Sequence, residues 1–263
     1  MTRSSAAVAL VVAPMLAGCG SDGGSSSASP ETVSAAAAKT ARAGSVKADF
    51  TLSGAGAKGE GSGTFNTGGD RSGRSTVNLE VNRRVNAVET IIAGRVLYLR
   101  SRVFAQAGLS GPKDWLKVDL AQLSQQGGGL SNLAAASPSP TTALVYLRGA
   151  KDAKKVGTES VAGVDATHYR VTADLQRAAA RSSGSDKASA QQAMQLTGRR
   201  TLPMDAWVDN DGYLRKVAWA EHTSAGTGAK VSMVLHDFHP PVKIEPPSGH
   251  VIDLLQRLSG GNG

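Results

Sequence analysis

Five histidines, at positions 168, 222, 236, 239 and 250, could in principle bind a metal or act in catalysis, and the chain has a single cysteine. Only His236 and His239 lie close together, and a spacing of three residues places them on opposite faces of a strand. A zinc site needs several cysteine, histidine or carboxylate ligands that converge on one point. With one cysteine and no carboxylate pair at ligand spacing, the sequence predicts no metal site.

The run Asp209-Asn210-Asp211-Gly212 has the residue types of a calcium loop but lacks its spacing. Trp207 stands two residues before Asp209, and Ala218 stands where a closing glutamate would be needed. We therefore interpret the run as a β-turn. The sequence also lacks a Gly-x-Ser-x-Gly elbow and a phosphate-binding loop, so we predict that the protein is not an enzyme and uses no cofactor.

Covalent chemistry is indicated at Cys19. Met1-Thr2-Arg3 is a short positive region, and residues 6–16 form an apolar run that suits a signal peptide and is too short for a transmembrane helix. The tetrapeptide Leu16-Ala17-Gly18-Cys19 then resembles the bacterial lipobox. This resemblance implies that the thiol of Cys19 receives a diacylglyceryl group with palmitate-type chains, and that residues 1–18 are removed. The alternative is a chance cysteine behind an ordinary signal sequence.

The anchor would be followed by a flexible tether at 19–30, which is composed almost entirely of small and polar residues. We expect the protein to be held by lipid at the extracytoplasmic face of the cell membrane rather than to span it.

The chain is basic, with 29 Lys and Arg against 21 Asp and Glu. Removal of residues 1–18 takes away Arg3 and leaves 28 basic against 21 acidic residues, a net charge of +7. Such a surface is attracted to anionic phospholipid headgroups. The basic residues form no run and no aromatic-basic cluster, so we predict no nucleic-acid binding.

A β-rich domain is predicted over residues 31–247, followed by a C-terminal tail over 248–263. Helical composition and spacing predict helices at 31–43, 141–149 and 176–198. Short alternating runs joined by turn residues predict antiparallel strands at 46–53, 61–66, 74–82, 85–93, 96–100, 115–118, 155–161, 164–175 and 230–238.

The sequence also suggests the structure of three further stretches. The glycine-rich run 54–63 is compatible with a hairpin loop with weak strand edges or with a mobile rim, and we favour the rim. We interpret the low-complexity run at 124–140 as a disordered excursion. Residues 251–258 are predicted to form one or two helical turns.

A β-hairpin is predicted at 202–221, around the turn that contains Gly212. Both faces of this hairpin carry large apolar groups mixed with charge, and Trp207 and Trp219 lie in it. The pattern is typical either of a curved sheet whose two sides have different uses or of an ordinary core hairpin.

A resemblance to a known family is carried by five stretches, at 96–100, 115–119, 147–149, 157–171 and 202–217. Together they resemble the actinobacterial lipoproteins of the LppX/LprG kind, which are similar in fold to LolA-type lipoprotein carriers. The resemblance implies an α+β fold: a strongly curved antiparallel β-sheet, an open half-barrel, with helices covering the concave face. It also implies a carrier or presenter of lipids or lipidated glycans in the cell envelope. We expect a monomer that binds a lipid or lipoglycan and works with an envelope transporter.

Alternation along the strands gives a set of apolar residues that would line such a hollow. These candidates are Leu79, Val81, Ile91, Leu97, Leu99, Trp115, Tyr169, Val171, Trp207, Trp219, Met233 and Leu235. The same alternation would arise if these residues filled a packed core, and pattern alone does not separate the two. The alternative function is a lipid-anchored interaction or sensor module with no bound ligand.

Overall fold

The structure is a computed structural model that describes residues 29–54, 57–68, 71–81, 83–120, 122, 139–220 and 230–259. The predicted leader, Cys19 and residues 124–138 of the predicted excursion lie outside the described residues.

Twelve strands and six helices occur within the described residues. The strands are β1 Ser45–Gly54, β2 Ala57–Asn66, β3 Ser72–Val81, β4 Arg84–Ala93, β5 Val96–Arg100, β6 Trp115–Asp119, β7 Ala150–Val161, β8 Val164–Asp174, β9 Thr201–Asp209, β10 Leu214–Ala220, β11 Lys230–His239 and β12 Val251–Asp253. The helices are α1 Pro30–Ala41, α2 Arg102–Gln106, α3 Pro140–Arg148, α4 Leu175–Ala180, α5 Gly184–Thr197 and α6 Leu254–Ser259.

All twelve strands belong to one sheet, in the order β12-β6-β5-β4-β3-β2-β1-β11-β10-β9-β8-β7. Every pairing is antiparallel except that of β12 with β6, which is parallel. The two outermost strands, β12 and β7, do not pair with each other, so the sheet stays open. The predicted fold class, an open antiparallel half-barrel with helices on one face, is confirmed.

Helix α1 begins one residue before the predicted helix and ends two residues earlier than predicted, at Ala41. The Ser29 hydroxyl accepts a hydrogen bond from the backbone N–H of Glu31 at 3.2 Å, and Pro30 occupies the first helical position. The buried residues of α1 recur at the spacing of one helical face, namely Val33, Ala36, Ala37, Thr40 and Ala41. Small alanines on that face let the helix lie close to the sheet.

The predicted rim at 54–63 is wrong, because 57–63 belong to β2, which pairs with β1 on one side and β3 on the other. Glycines stand at alternate positions of β2 and share the sheet face of Phe50 and Val77. A Cβ atom on Gly63 would lie 2.6 Å from the carbonyl oxygen of Arg74, and one on Gly61 would clash with the backbone of Thr76. Glycine therefore permits a close backbone approach in the middle of the sheet.

Replacing Gly61 with alanine is expected to destabilise the fold by about 1–3 kcal/mol, because the new Cβ would clash with the carbonyl oxygen of Thr76 and force the backbone of β3 to shift. Gly157→Ala in β7 is the matched control, since a Cβ there meets no atom within 4 Å. It should be neutral or slightly stabilising. Equal denaturant midpoints for the two variants would contradict this account of β2.

The first core lies between the sheet and helices α1 and α3. Strands β1, β8, β9, β10 and β11 contribute one face each, and side chains such as Phe50, Val171 and Met233 are nearly fully buried against Val33 and Leu144 of the helices. One buried hydrogen bond also joins the layers, from the backbone N–H of Leu214 to the Thr40 hydroxyl at 2.9 Å. This half of the sheet is covered by a packed helical layer.

A second core lies at the other end of the sheet. Leu97 and Leu99 of β5 and Leu116 and Val118 of β6 pack against Leu254 and Leu255 at the start of α6. Phe104 of α2 packs against the same cluster. Residues 251–258 were predicted as helical turns, but residues 251–253 form strand β12 at the edge of the sheet before α6 begins.

Residues 240–250 connect β11 to β12 along the sheet face opposite to the helices. Asn66 fixes the start of this connection, with its side-chain amide donating to the carbonyl of Val242 at 2.7 Å and its carbonyl accepting from the N–H of Val242 at 2.9 Å. Residues 242–245 lie beside Thr64 and Arg74 of β2 and β3. The connection thereby ties the two halves of the sheet together.

The predicted helix at 176–198 is two helices. Asp174 caps α4 by accepting hydrogen bonds from the N–H groups of Gln176 and Arg177. Residues 181–183 interrupt the helix, and α5 then runs to Gly198, whose left-handed conformation ends it. The break brings α4 and α5 together as a pair beside α3.

Candidate functional site

The two faces of the sheet are called here the helix face, which carries both cores, and the outer face. The pairing of residues across neighbouring strands assigns each side chain to one of them, because directly paired residues share a face. Of the predicted lining residues, eight lie on the helix face: Leu79, Leu97, Leu99, Tyr169, Val171, Trp219, Met233 and Leu235. Val81 lies in β3 opposite Arg84, and its side chain is outside the described residues.

The prediction that Ile91, Trp115 and Trp207 share this face is wrong. Ile91 pairs with Arg74 and Tyr98 on the outer face, whereas its neighbour Ile92 points toward the second core. Two adjacent isoleucines fit either alternation, and the sequence offers no sign of which one faces inward. Trp115 alternates with the inward Leu116 in β6 and is therefore also on the outer face.

Trp207 belongs to a stack of side chains on the outer face. The imidazole of His168 stacks on the indole with ring centroids 4.2 Å apart, and the ammonium of Lys216 lies 4.3 Å from the indole centroid. Asp205 is 2.8 Å from Nε2 of His168, and the indole N–H donates to Glu159. These contacts explain how a tryptophan on this face is only 6% exposed, and they make it a structural group.

The helix-face candidates differ in how much free surface they offer. Val171, Trp219, Met233 and Leu235 are buried in the first core, and Leu97 and Leu99 are buried in the second. Only Leu79 and Tyr169 of the eight are half-buried. The packed residues have the role of core, which was the alternative left open by their alternation.

Between the two cores runs a row of half-buried apolar side chains that we call the apolar strip: Leu52, Leu79, Val88 and Ile92. Leu52 and Leu79 approach each other above Gly59, whose missing Cβ would lie 2.7 Å from one methyl carbon of Leu79. Val88 pairs with the buried Val77 across β3 and β4. The strip thus joins the edge of the first core to the edge of the second.

Leu52, Val88 and Ile92 were not predicted as candidates. Leu52 continues the alternation of Ala48 and Phe50 in β1, so the signal for it was present in the sequence. In β4 the pattern is mixed, because Glu89 forms an ion pair with Arg100 on the outer face while Thr90 is buried on the helix face. Only the pairing of β4 with β5 shows which residues of β4 lie on the helix face.

Two carboxyl groups have a lowered pKa that local contacts explain. The pKa of Glu31 is lowered first by the Ser29 hydroxyl, then by its own backbone N–H and by the charges of Arg177 and Arg181. The Lys47 ammonium, which donates to Asp237 at 2.9 Å, lowers the pKa of that carboxyl. Both carboxyls are at the surface, so these shifts describe local charge pairing rather than a reactive site.

The described part of the chain contains no cluster of three or more histidine, cysteine, aspartate or glutamate side chains that could hold a metal ion. None of the helices in the described ranges is both long and apolar enough to cross a membrane.

Comparison with known sequences gave one relative of uncharacterised function. No family model matches the sequence. An uncharacterised 31.2 kDa protein encoded in the rplA-rplJ intergenic region of Streptomyces griseus is 31% identical over 165 residues, which cover 60% of this chain and 53% of that protein. The chain therefore spans about half the length of the curated relative that it matches.

Comparison with solved structures gave similar folds at low sequence identity. LprF from Mycobacterium bovis is 14% identical with a TM-score of 0.49, over 84% of this chain and 97% of LprF. Lipoprotein LppX from Mycobacterium tuberculosis is likewise 14% identical with a TM-score of 0.49, over 83% of this chain and all of LppX. The likeness is one of fold.

Proposed function

We propose that this protein is a lipid-anchored envelope protein that binds the acyl chains of a lipid or lipidated glycan and transfers or presents them. The observation that carries the proposal is the apolar strip on the helix face. Leu52 and Leu79 pack against the edge of the first core and Val88 and Ile92 against the edge of the second, and all four side chains remain only half-buried. An acyl chain needs an apolar surface of this kind and few polar anchors.

The position of the strip supports this function. It lies between helices α1 and α3 on one side and α2 and α6 on the other, so a bound chain would be flanked by apolar side chains of both cores. The glycines of β2 shape the strip, since Leu52 and Leu79 lie over Gly59, where any larger residue would bring a Cβ into contact with both of them. Burial of one methylene from water contributes about 0.8 kcal/mol, so a chain of several methylenes would bind well.

The proposed location follows from the sequence around Cys19. A diacylglyceryl anchor and the tether at 19–30 would hold the sheet close to a membrane surface, where the net positive charge favours anionic headgroups. Replacing Cys19 with serine should move the protein from the membrane pellet to the soluble fraction after ultracentrifugation. A protein that stays in the pellet without Cys19 would refute the anchor.

Transfer between vesicles tests the proposed function. Donor vesicles would carry a self-quenched fluorescent phospholipid, and the Cys19→Ser chain would be added together with unlabelled acceptor vesicles. We expect dequenching whose rate rises in proportion to protein concentration. A rate equal to that of spontaneous transfer at every concentration would exclude a carrier.

One observation favours the alternative, an interaction or sensor module without stored ligand. The helix face of β8 to β11 is filled by the chain's own side chains, with Met233 fully buried and Leu235 only 1% exposed. A fold whose interior is already packed can serve as a scaffold for another envelope protein. Vesicle transfer separates the two functions, because a scaffold would not speed lipid exchange.

A further inference from the structure

A cleft of about 410 Å³ opens beside helices α1 and α3 and the turn between β2 and β3. Four arginines line it, Arg42, Arg71, Arg148 and Arg181, together with one carboxylate, Asp186. They come from five separate parts of the chain, namely the end of α1, the β2–β3 turn, α3, the end of α4 and the start of α5. The fold therefore concentrates positive charge at a place where the sequence shows no basic run.

The single carboxylate does not neutralise the cleft. Asp186 accepts hydrogen bonds from Arg71 on one oxygen and from Arg148 on the other, the second at 2.8 Å. Four guanidinium groups against one carboxylate leave three positive charges in excess. Because each guanidinium has five N–H donors, both arginines retain donors after pairing with Asp186.

Hydrogen bonds hold three of the arginines in place. Arg71 also donates to the Ser189 hydroxyl at 2.8 Å, and its side chain is only 18% exposed. Arg181 donates to the Ser34 hydroxyl at 3.2 Å and to the backbone carbonyl of Arg148 at 3.0 Å. Side chains that are already ordered lose less entropy when a ligand binds than free surface arginines would.

Arg42 and Thr67 have unused hydrogen-bonding capacity. The Arg42 guanidinium makes no hydrogen bond or ion pair with the described residues, and the side chain is exposed at the mouth of the cleft. The Thr67 hydroxyl is buried at the wall of the cleft and has no partner within the described part of the chain. The hydroxyl oxygen has almost no accessible surface, so its contribution to ligand binding would be smaller than that of the arginines.

Part of the remaining lining is apolar. Ala38 and Ala41 of α1 and Leu144 of α3 form part of the wall. Guanidinium groups match the geometry of phosphate oxygens and bind them through paired hydrogen bonds. A ligand that carries both a phosphate and an adjoining apolar part would satisfy both kinds of lining.

We propose that this cleft binds the phosphate group of an anionic ligand, through Arg42, Arg71, Arg148 and Arg181. The phosphate could belong to a lipid headgroup or to free inorganic phosphate. Assignment to a lipid headgroup rests on the proposed lipid-binding function, whereas the phosphate site itself does not. If the ligand is a lipid, the cleft would favour lipids with a phosphate headgroup, whereas the apolar strip contacts only the acyl chains.

Calorimetric titration of the full chain carrying Cys19→Ser tests the site with three probes. These are inorganic phosphate, dihexanoyl phosphatidylglycerol below its micelle concentration, and dihexanoylglycerol, which lacks the phosphate. Arg42→Gln is the main variant, since the Arg42 side chain has no protein partner to lose among the described residues. Arg170→Gln is the matched control, because it removes the same charge from an exposed position of β8 on the outer face, away from both the cleft and the apolar strip.

Arg42→Gln should weaken binding of phosphatidylglycerol about tenfold, as expected for loss of a hydrogen bond between charged groups. Arg170→Gln should leave the affinity unchanged. Weakened binding of inorganic phosphate by Arg42→Gln would also support the site and would show that the phosphate alone is recognised.

Two other outcomes separate this inference from the proposed function. The phosphate site would be overturned if the protein bound phosphatidylglycerol and dihexanoylglycerol with equal affinity and Arg42→Gln changed neither affinity. The proposed lipid binding would still be supported by that result. If neither lipid binds, the proposed lipid binding is refuted, and the titration with inorganic phosphate decides whether the phosphate site exists. Phosphate binding that is weakened by Arg42→Gln would support the phosphate site. Absence of phosphate binding would overturn it.

Discussion

Leu79→Trp is expected to lower the amount of lipid bound per protein by at least about tenfold, while the protein still unfolds cooperatively. Leu79 is half-buried on the helix face, at the centre of the apolar strip and above Gly59. An indole there would occupy the volume that an acyl chain needs, and a steric cost of about 2 kcal/mol corresponds to a roughly thirtyfold loss of affinity. Bound lipid can be measured by solvent extraction and quantified against protein.

The control is Asn78→Trp, one residue earlier in β3. Asn78 is exposed on the outer face, so the same side chain is added to the same strand without entering the strip. Asn78→Trp should bind as much lipid as the parent chain. Equal lipid content in both variants would remove the strip as the binding surface, and an unfolded Leu79→Trp would be recognised by its loss of a cooperative thermal transition.

Asp209→Ala is expected to destabilise the protein by about 3 kcal/mol. The Asp209 side chain is only 2% exposed and accepts hydrogen bonds from the N–H of Tyr213 at 2.8 Å and from Nε of Arg215 at 2.6 Å. Its removal would leave the mostly buried guanidinium of Arg215 without its carboxylate, which is more costly than the loss of a surface ion pair. Denaturant unfolding monitored by tryptophan fluorescence gives the change in free energy.

Asp211→Ala in the same turn provides the comparison. Asp211 is exposed, and it is its backbone carbonyl, not its side chain, that accepts a hydrogen bond from Lys39. This variant should change the free energy of unfolding by less than about 0.5 kcal/mol. A similar loss in both variants would show that the turn as a whole, rather than the Asp209–Arg215 pair, determines stability.

Local sequence signals predicted much of the secondary structure. The N-cap Ser29, the alanine-rich face of α1 and the turn at Gly212 each act over a few residues, and α1 and the β9–β10 hairpin formed where these signals placed them. The glycines of β2 were misread because their role depends on contact with β3, more than ten residues away in sequence. A glycine-rich strand between two partners has no local signal that separates it from a loop.

The faces of the strands were predicted less well than the strands themselves. Alternation gave the correct face for Val171, Met233 and Leu235, but in β4 the adjacent Ile91 and Ile92 allowed either choice. Trp207 was predicted to line the hollow, whereas Lys216 and His168 cover it on the outer face. Lys216 lies on the other strand of the same hairpin and His168 on the neighbouring strand β8, so the cover arises from strand pairing.

The arginine cleft had no sequence signal of its own. Arg42, Arg71, Arg148 and Arg181 are at least 29 residues apart along the chain, and the sequence suggested a thinly spread positive charge. They meet because the ends of α1, α3 and α4 and the β2–β3 turn converge, and because Asp186 pairs with two of them. Charge clusters formed by tertiary packing are invisible to composition.

Native mass spectrometry of the chain carrying Cys19→Ser, expressed in a lipid-containing bacterial host, tests the central claim most directly. Binding of acyl chains on the apolar strip predicts a bound species near one per protein, which solvent extraction should identify as an acyl lipid. The same preparation of Leu79→Trp should carry little or none. A parent protein that is free of lipid and takes up none when a phospholipid is added would contradict the account.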